Sequence, residues 1–577
     1  MNNLSKFMLG AMAFGLWSCS SDEPAVNPGI GETTGDFHAT LTLQLPSTRS
    51  TTTDNGEPAA SNTGTEVGQT SENNVDDVLV VLASSADEQT FSYVTYGYSR
   101  SSILKDEAEP TYALQFESKA LAEMYGEQVY VFTYCNPSES LISYFKGLDA
   151  GATTWTDDVL NVKDDNQDGV NLWEPNKFLM TNAKLSNVTI GAGDADLDAF
   201  MANHNTPAKA FDLGTVLVER VAARFDFMGK PADGDLAANQ YVVEDLRNGD
   251  EVAIVEFTDM ALFNEAKQVY YLPRVSADGF QPWTLCGNET SKNWMVGPYW
   301  EEFKALGDNP APADFQPLQL NYLYAIGQSS MVSYDALDWT SLSKILNGTE
   351  DNHNNWTGAE GTDYRIWRYA AESLISGVNN QRQGITTGVM FKAQLKPLDN
   401  PTSEMGKVVK AAMESNHMIY ALNGVMYGDE AMVLDYVTKH PVSELADVYN
   451  ATMEALGEGK TLDSMNGETI AVTVNGEKTG LSIYKPAADG NYYMYYPYFN
   501  RHNSVGTNNG MEVMEFQVVR NNVYKLRVTN VLNFGKPDKP GDPDPDPDGK
   551  NDEDPEVLFR VSVQVLPWVV RVNDIEF

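Results

Sequence analysis

A strand-forming segment lies near each end of this chain, and a segment that cannot fold separates each of them from the rest. Residues 37–45 (FHATLTLQL) alternate strictly between apolar and polar side chains, which is the pattern of a half-buried strand. Residues 557–565 (VLFRVSVQV) alternate in the same way. Each terminal strand can therefore pair with its own domain or be added to the sheet of another chain.

The two separating segments differ in character. Residues 51–74 are rich in Thr, Ser, Asn, Gly and Glu and carry too little apolar surface to fold. Arg49 and Ser50 lie at the start of this exposed tether, in the kind of place where proteases cut. Residues 536–548 contain repeated Asp-Pro pairs, which remove hydrogen-bond donors and repel one another. The chain thus begins with a strand on a cleavable tether and ends with a strand on an extended spacer.

The first strand is expected to stay bound within its own domain until the chain is cut. Burial of its apolar residues stabilises the strand by about 1.5 to 3 kcal/mol for each large side chain. Those residues are Phe37, Ala39, Leu41, Leu43 and Leu45. A cut after Arg49 would turn the strand into a separate peptide. Its departure would leave an apolar groove with unpaired backbone groups.

The last strand has the alternation needed to fill such a groove in a neighbouring copy. Its apolar residues are Phe559, Val561, Val563, Val565, Trp568, Val570 and Val572. Their phase changes at Leu566-Pro567, which predicts a bulge at that point. Because the two surfaces differ, the contact would be head-to-tail and would build an open filament. The alternative, that both strands complete their own domains, stays open on the pattern alone.

The N-terminus has the features of an exported lipoprotein. Lys6 precedes the apolar run 7–17, which is too short to span a bilayer and fits a signal peptide. The following LWSC resembles a bacterial lipobox, so Cys19 is expected to be acylated, as with palmitate. Residues 20–23 (SSDE) resemble the acidic export tag of Bacteroides lipoproteins. These features predict a precursor held at the outer membrane by lipid.

With 577 residues the chain exceeds the size of one core, so two large domains are expected. Many short Val-, Ile-, Thr- and Tyr-containing runs make the predicted fold class mostly β, and residues 407–412 and 430–456 have the apolar spacing of helical insertions. The predicted division is a signal peptide (1–18), a propeptide with the removable strand (19–49), a flexible segment (50–75), an N-terminal domain (76–272), a C-terminal domain (273–535), a spacer (536–556) and a donor strand (557–577).

Charge and motifs argue against several classes of function. The formal charge of −42 repels phosphate backbones, so no nucleic-acid partner is expected. The histidines lack a His-Glu-x-x-His spacing, and the chain has no Gly-x-Ser-x-Gly elbow, phosphate-binding glycine loop or Cys-x-x-Cys pair. The sequence therefore predicts a protein that is not an enzyme and needs no cofactor.

Two weaker candidate sites have simpler explanations. Asp164, Asn166 and Asp168 have the spacing of calcium ligands, but the closing Glu174 comes one residue early, so an Asx-rich turn is the better interpretation. The tyrosines of residues 492–498 (YYMYYPY) fit a glycan platform, although packing within a strand is the commoner role. A ligand-binding role for Trp294, Trp300 and Trp356 stays open, but the sequence gives no support for it.

Three motifs resemble a known family. They are residues 218–224 (VERVAAR), 519–524 (VRNNVY) and 563–568 (VQVLPW), with weaker likeness at 257–260 and 492–496. In these segments the chain resembles the fimbrillins of Bacteroidales, especially the stalk subunit of the short (minor) fimbrium of Porphyromonas, a type V pilus. The likeness follows the chain in order, except between Cys286 and Ile385.

The resemblance implies two transthyretin-like β-sandwich domains, lipidation at Cys19 and cleavage between Arg49 and Ser50 by an Arg-specific surface protease. It further implies that the strand of residues 37–45 is discarded and that residues 559–577 are donated to the next subunit. The expected partners are copies of the same chain, anchor and tip subunits, and the outer membrane before maturation. The expected function is adhesion through the fimbrium, including a part in virulence.

Two competing functions remain. A monomeric, surface-exposed glycan-binding lipoprotein would stay monomeric after cleavage at Arg49 and would bind oligosaccharide. A fimbrial tip adhesin would assemble without residues 559–577, whereas a stalk subunit requires them.

Overall fold

The computed structural model describes residues 35–45, 66–104, 109–162, 172–245, 248–287, 294–308, 310–325, 337–347, 364–422, 425–462, 468–475, 477–502, 514–537 and 559–569. Strands predominate in this part of the chain, which confirms the predicted mostly β fold class. Burial alternates along Phe37–Gln44, Ser92–Ser99, Thr111–Phe116 and the first part of Tyr492–Phe499, so apolar patterning set the faces of these strands.

The first strands in chain order lie before or within the VERVAAR motif. They are β1 (Phe37–Gln44), β2 (Glu66–Val67), β3 (Val78–Ser84), β4 (Ser92–Ser99), β5 (Ser102–Leu104), β6 (Thr111–Phe116), β7 (Gln128–Cys135), β8 (Val159–Asn161), β9 (Met180–Asn182), β10 (Asn187–Thr189), β11 (Phe211–Arg220) and β12 (Ala222–Phe227).

The remaining strands follow the motif. They are β13 (Gln240–Glu244), β14 (Glu251–Phe263), β15 (Glu265–Ala266), β16 (Gln268–Tyr270), β17 (Arg274–Ser276), β18 (Thr284–Leu285), β19 (Trp294–Met295), β20 (Tyr322–Leu323), β21 (Thr340–Ser341), β22 (Arg365–Ala371), β23 (Gly388–Lys396), β24 (Ile419–Leu422), β25 (Val425–Met426), β26 (Glu468–Val474), β27 (Glu477–Tyr484), β28 (Tyr492–Phe499), β29 (Asn522–Val531) and β30 (Phe559–Val569).

The helices are short and lie on the sheets. They are α1 (Thr70–Asn73), α2 (Ser118–Glu123), α3 (Glu139–Lys146), α4 (Leu197–Asn203), α5 (Trp300–Ala305), α6 (Leu342–Asn347), α7 (Glu404–Glu414), α8 (Glu430–Lys439) and α9 (Glu444–Leu456). The helical insertions predicted around 407–412 and 430–456 are confirmed, the second as two helices. Ser443 begins the second of these, because its hydroxyl accepts a hydrogen bond from the backbone N–H of Ala446.

The first sandwich is one sheet that folds over itself. Its strand order is β4-β3-β7-β9-β11-β1-β6-β5, and β10 pairs with β7. A single apolar core takes residues from β3 and β7 on one side and from β1, β6 and β11 on the other. The outer face of β3 and β7 packs on Phe145 of α3 and on Trp155. Cys135, at the end of β7, is fully buried.

The second sandwich is built from two sheets that share a core. One sheet has the order β2-β30-β29-β12-β22, and the other has the order β13-β14-β23-β28 with β21 beside β14. Phe225 and Tyr524 of the first sheet and Phe257, Phe391 and Tyr496 of the second belong to one apolar cluster. A smaller sheet, β25-β24-β27-β26, packs with α8 and α9 around a separate core. The predicted pair of β-sandwich domains is confirmed.

The chain crosses from a sheet of the first sandwich to a sheet of the second at Val221, whereas the sequence predicts a domain boundary near residue 272. β11 ends at Arg220 in the first sandwich, and β12 begins at Ala222 in the second. The strands β13 and β14 also lie in the second sandwich. In the sequence, residues 216–227 form one continuous strand-forming run. The pattern therefore gives no sign that the chain changes sheet within it. We therefore propose a division at Val221.

The bulge predicted at Leu566-Pro567 is absent from the described ladder, and that prediction is wrong. β30 pairs with β29 in an unbroken register from Val561 opposite Val528 to Pro567 opposite Asn522. The register shift lies between Val528 and Asn530, on the partner strand. Pro567 is accommodated because it lies close to the end of the β29 pairing.

The packing of β1 predicts that an inward-facing residue contributes far more to the free energy of unfolding than its outward-facing neighbour. We expect Leu41→Ala to lower the free energy of unfolding of the first sandwich by about 3 kcal/mol, because it leaves a cavity in the core. The matched control Thr40→Ala should cost less than about 1 kcal/mol. Urea unfolding of the uncut chain, followed by hydrogen exchange of β6 and β11 amides, measures both. Equal losses would contradict this assignment of the two faces.

Candidate functional site

The candidate site is the seat of β1 in the first sandwich. β1 lies between β11, with which it pairs in parallel, and β6, with which it pairs antiparallel. Ala39 is opposite Phe211 on one side and Leu114 on the other. β1 precedes the tether in sequence, and the other strands of this sheet follow it. β1 nevertheless occupies an inner position of the sheet. Its removal would expose the backbone edges of both neighbours.

The apolar side chains of β1 fill the interior of the sandwich. Phe37, Ala39, Leu41, Leu43 and Leu45 are all buried, while the residues between them are partly exposed. The ring of Phe37 lies 4.9 Å from that of Phe200 and 6.3 Å from that of Phe211. The half-buried strand predicted for residues 37–45 is therefore confirmed.

Polar contacts fix the beginning of β1. The backbone N–H of His38 donates to the carbonyl oxygen of His204 at 2.8 Å. The ring of His204 in turn contacts Asp194 through Nε2 at 3.1 Å and the Lys209 carbonyl through Nδ1 at 2.6 Å. Partial burial lowers the pKa of the His38 imidazole, which favours its neutral form. These contacts set the register of β1.

The surface that β1 covers is here called the acceptor groove. It consists of the edges of β6 and β11 together with the core residues beneath them, which include Tyr112, Leu114, Phe116 and Val216. All four are buried while β1 is in place. An empty groove would expose this apolar surface and two rows of unpaired backbone groups. It is therefore a site for a strand of matching alternation.

The chain re-enters the fold through a short segment, residues 66–74, here called the plug. Glu66 accepts hydrogen bonds from Arg224 at 3.1 Å and Lys525 at 2.6 Å. Glu72 is fully buried, and its carboxylate accepts from Arg224 Nη1 at 3.1 Å and from the hydroxyl of Tyr369 at 2.5 Å. The plug thus inserts two carboxylates between the sandwiches.

Arg224 is the centre of this network. Besides Glu66 and Glu72, it binds Asp226 through two hydrogen bonds of 2.8 Å. Burial disfavours the charge of Arg224, but these carboxylates outweigh it and raise the pKa of the guanidinium. Burial raises the pKa of the Asp226 carboxyl, and Arg224 opposes that shift. Removing one partner would leave a buried charge unpaired.

Arg220 links the plug to the second sandwich. Its Nε donates to the backbone oxygen of Glu72 at 3.1 Å, and its Nη1 donates to the side-chain oxygen of Asn521 at 3.2 Å. Burial lowers the pKa of Arg220 to about 9, so the group remains charged at neutral pH. The arginines of VERVAAR therefore hold the junction at which the chain crosses between sheets.

The VRNNVY motif serves the same junction. Arg520 forms a buried pair with Glu372 at 2.7 Å and donates to the carbonyl of Tyr270 at 2.7 Å. The backbone N–H of Asn521 donates to the carbonyl of Ala222 at 2.9 Å. The hydroxyl of Tyr524 accepts from the N–H of Val519 at 2.8 Å. Two of the three resemblance motifs thus carry buried polar groups of the scaffold.

The candidate donor strand, β30, lies near the edge of its sheet. It pairs along β29 on one side, and on the other side only the two residues of β2 pair with it. Val561 and Val563 are partly buried against the second core. The structure places the backbone of Phe559, Val565 and Trp568 in this strand. Val570 and Val572 lie outside the described residues.

Other predicted site residues fall outside the described part of the chain or have structural roles. Cys19, Arg49 and Ser50, and the calcium candidates Asp164, Asn166 and Asp168, lie outside it. In β28, Tyr492 and Tyr496 are fully buried, which supports packing rather than a glycan platform for these tyrosines.

Two features are absent from the part of the chain that the structure describes. No group of His, Cys, Asp and Glu side chains there is arranged to hold a metal ion. None of the helices there has the length and apolarity required to cross a membrane.

The plug is the part of the site that sequence reasoning missed. Its composition predicts a flexible segment up to residue 75, and Glu66 and Glu72 look there like solvated charges. The available signal was the presence of two arginines within the apolar run 216–227, since buried arginines need acidic partners.

Comparison with known proteins identifies the C-terminal part of the chain. Residues 490–574 match the family model described as the C-terminal region of fimbrillin, the type IV major fimbrial subunit protein. This stretch includes β28, β29 and β30 and two of the three motifs. The match confirms the predicted resemblance to the fimbrillin family. No curated protein sequence matches the chain.

Solved structures of similar extent share little sequence with this chain. A fimbrillin from Porphyromonas gingivalis W83 is 13% identical over 92% of this chain and 98% of its own, with a TM-score of 0.35. A candidate cell adhesion protein from Parabacteroides distasonis is 12% identical over 93% and 98%, with a TM-score of 0.37. The C-terminally truncated tip fimbrial protein Mfa3 from P. gingivalis is 9% identical over 92% and 100%, with a TM-score of 0.31. At TM-scores below 0.5, these likenesses support no statement about function.

The buried network makes Glu72 a stability determinant. We expect Glu72→Gln to lower the free energy of unfolding by about 3 kcal/mol, because Arg224 loses a charged partner in a buried place. The matched control is Glu123→Gln, at an exposed position of α2, with an expected effect within about 0.5 kcal/mol. Denaturant midpoints of the two variants provide the measurement. A neutral Glu72→Gln would show that the carboxylate is not required at the junction.

Proposed function

We propose that this chain, which carries a fimbrillin C-terminal region at residues 490–574, is a stalk subunit of a cell-surface fimbrium that polymerises by strand exchange. The observation that carries the proposal is the position of β1. It is an inner strand of the first sandwich, yet the chain connects it to the rest only through residues 46–65. One cut at Arg49 therefore converts an integral strand into a separate peptide.

The plug explains why such a cut releases only the N-terminal piece. Glu66 and Glu72 hold the mature chain to Arg224, so the residues from 66 onward stay attached after cleavage. β1 itself contributes no residue to this network. The groove can therefore be emptied while the junction between the sandwiches remains intact.

The position of β30 supports its role as the donor. It lies near the sheet edge, so its departure leaves β29 still paired with β12 and leaves the five strands of the opposite sheet in place. The spacer of residues 536–556 would reach about 65 Å if fully extended. Such a reach would allow the strand to extend from its own subunit to the acceptor groove of a neighbour. Donation of one strand to one groove builds a head-to-tail fibre.

The biological setting follows from the same proposal. The precursor would be exported, acylated at Cys19 and held at the outer membrane, where an Arg-specific surface protease cuts after Arg49. The mature chain would then join copies of itself and anchor and tip subunits, and the fimbrium would support adhesion. The proposed role is structural and requires no enzymatic activity or cofactor.

Cleavage at Arg49 is expected to control assembly. Limited trypsin digestion of the chain without its signal peptide should produce filaments by electron microscopy, because only a cut chain can lose β1. Arg49→Ala should remain monomeric under the same treatment, with β1 retained in the mass spectrum. Arg49→Lys, which trypsin still cuts, is the matched control and should assemble. A cut chain that stays monomeric would favour a monomeric glycan-binding lipoprotein.

The donor strand is expected to act in trans as a chain terminator. A peptide of residues 557–577 in excess should stop filament growth, because it occupies acceptor grooves. A Val563→Asp peptide should lose this effect, since it would place a charge in an apolar groove. A Ser562→Asp peptide should keep it, because Ser562 is exposed on the opposite face of β30.

The competing outcomes are distinct. Filaments that grow unchanged in the presence of the native peptide would show that β30 only completes its own domain. Filaments formed by a chain lacking residues 559–577 would likewise exclude donation by β30. If the intact chain is instead found only at filament ends, it would be behaving as a tip adhesin.

A further inference from the structure

A cleft outside both proposed exchange strands has the composition of a binding site. Its volume is about 610 Å³, within the range of small-molecule sites. It lies between the loops that carry Thr90 and Thr154 in the first sandwich and the segment 281–285 with Lys304 of α5. It therefore opens where a helical insertion meets the first sandwich.

The base of the cleft holds a buried cation. The side chain of Arg274 is 1% exposed, and its guanidinium carbon lies 3.4 Å from the ring centre of Tyr270 and 5.0 Å from that of Trp283. Asp157, on the rim, contacts its Nη2 at 3.1 Å, and the Thr156 carbonyl accepts from the same nitrogen. The buried Nε–H has no hydrogen-bond partner among the described residues. A buried donor of this kind is satisfied by a ligand or by water.

The lining is otherwise polar and lightly charged. Four threonines and two glutamines line it, among them Thr90, Thr154 and Gln281, which are exposed. Lys304 adds a second cation, so two cations face the single carboxylate of Asp157. The chain as a whole carries a formal charge of −42, which makes this excess of positive charge a local exception. Nucleic acid remains excluded by that overall charge.

Trp283 gives the cleft an apolar wall. Its indole is partly buried and meets Trp300 edge-on, with ring centres 5.1 Å apart. This contact holds the indole in a fixed orientation beside Arg274. An aromatic wall, a guanidinium and several short hydrogen-bonding side chains together match a ligand with an apolar face, one anionic group and many hydroxyls.

We propose that this cleft binds a pyranose that bears a carboxylate, such as a uronic acid or a sialic acid. The carboxylate is placed beside Arg274 and Lys304, and the ring packs on Trp283. The threonine and glutamine side chains form hydrogen bonds with the hydroxyls. The site would give the polymer a carbohydrate-binding function along its length. It does not depend on strand exchange, because no residue of β1 or β30 lines it.

The test is isothermal titration calorimetry of the purified chain with D-glucuronate and with N-acetylneuraminate. Glucose and acetate are the ligand controls. We expect one or both acidic sugars to bind at least about tenfold more tightly than glucose or acetate, because only they supply both the ring and the charge. A preference between the two acids distinguishes a uronic-acid polymer from a sialylated glycan as the source.

Two variants locate the binding. Trp283→Ala should abolish it, and Lys304→Glu should weaken it by at least about fivefold. Lys407→Glu, an exposed lysine of α7 remote in sequence from the cleft, is the matched control and should bind as the parent chain does. The uncut Arg49→Ala chain should also bind normally, which separates this result from the outcome for polymerisation.

Four results would overturn the proposal. They are the absence of acidic-sugar binding at millimolar concentration, equal binding of glucose, equal binding of acetate, and unchanged binding in a folded Lys304→Glu or Trp283→Ala variant. Circular dichroism verifies the folding of each variant. Lys304 is exposed, so its substitution tests the site even if Trp283→Ala fails to fold.

Discussion

The buried cluster around Arg224 is the interaction on which the rest of this structure depends. One guanidinium meets the carboxylates of Glu66, Glu72 and Asp226, and neighbouring Arg220 reaches the plug backbone and Asn521. Charges removed from water are costly unless each finds its partner, so the cluster tolerates few alternative arrangements. It fixes where the chain crosses from β11 to β12 and where the plug re-enters. The two sandwiches and the N-terminal tether are thereby joined at one place.

Much of the fold could be predicted because period-2 alternation directly reports a strand with one buried face. Residues 37–45 show this most clearly, since each of the predicted apolar side chains is buried. The helices at 404–414 and 430–456 followed from their apolar spacing in the same way. Local patterns of this kind report which face of a strand or helix is buried. They do not depend on which strands lie beside it.

The features that the sequence did not reveal all depend on partners distant in the chain. Nothing in the run 216–227 distinguishes residues of the first sandwich from those of the second, because both parts are β-type and buried. Glu72 is buried only because Arg224 and Tyr369, far along the chain, surround it. Likewise, the change of phase at Leu566-Pro567 suggested a bulge, but the register shift lies at Val528 and Asn530 of the partner strand.

The same separation of local and distant interactions bears on the proposed exchange, in which a stable strand must also be removable. While the tether of residues 46–65 is intact, β1 is held near its groove at an effective concentration in the millimolar range, and no strand from another chain competes well. A cut changes none of the contacts of β1 but removes that advantage, so a departed strand is diluted into solution. In the proposed exchange, the vacated groove is then open to the donor strand of a neighbouring subunit. The plug fits this proposal, because Glu66 and Glu72 pair with Arg224 and would keep the chain from residue 66 onward attached while the groove changes its occupant.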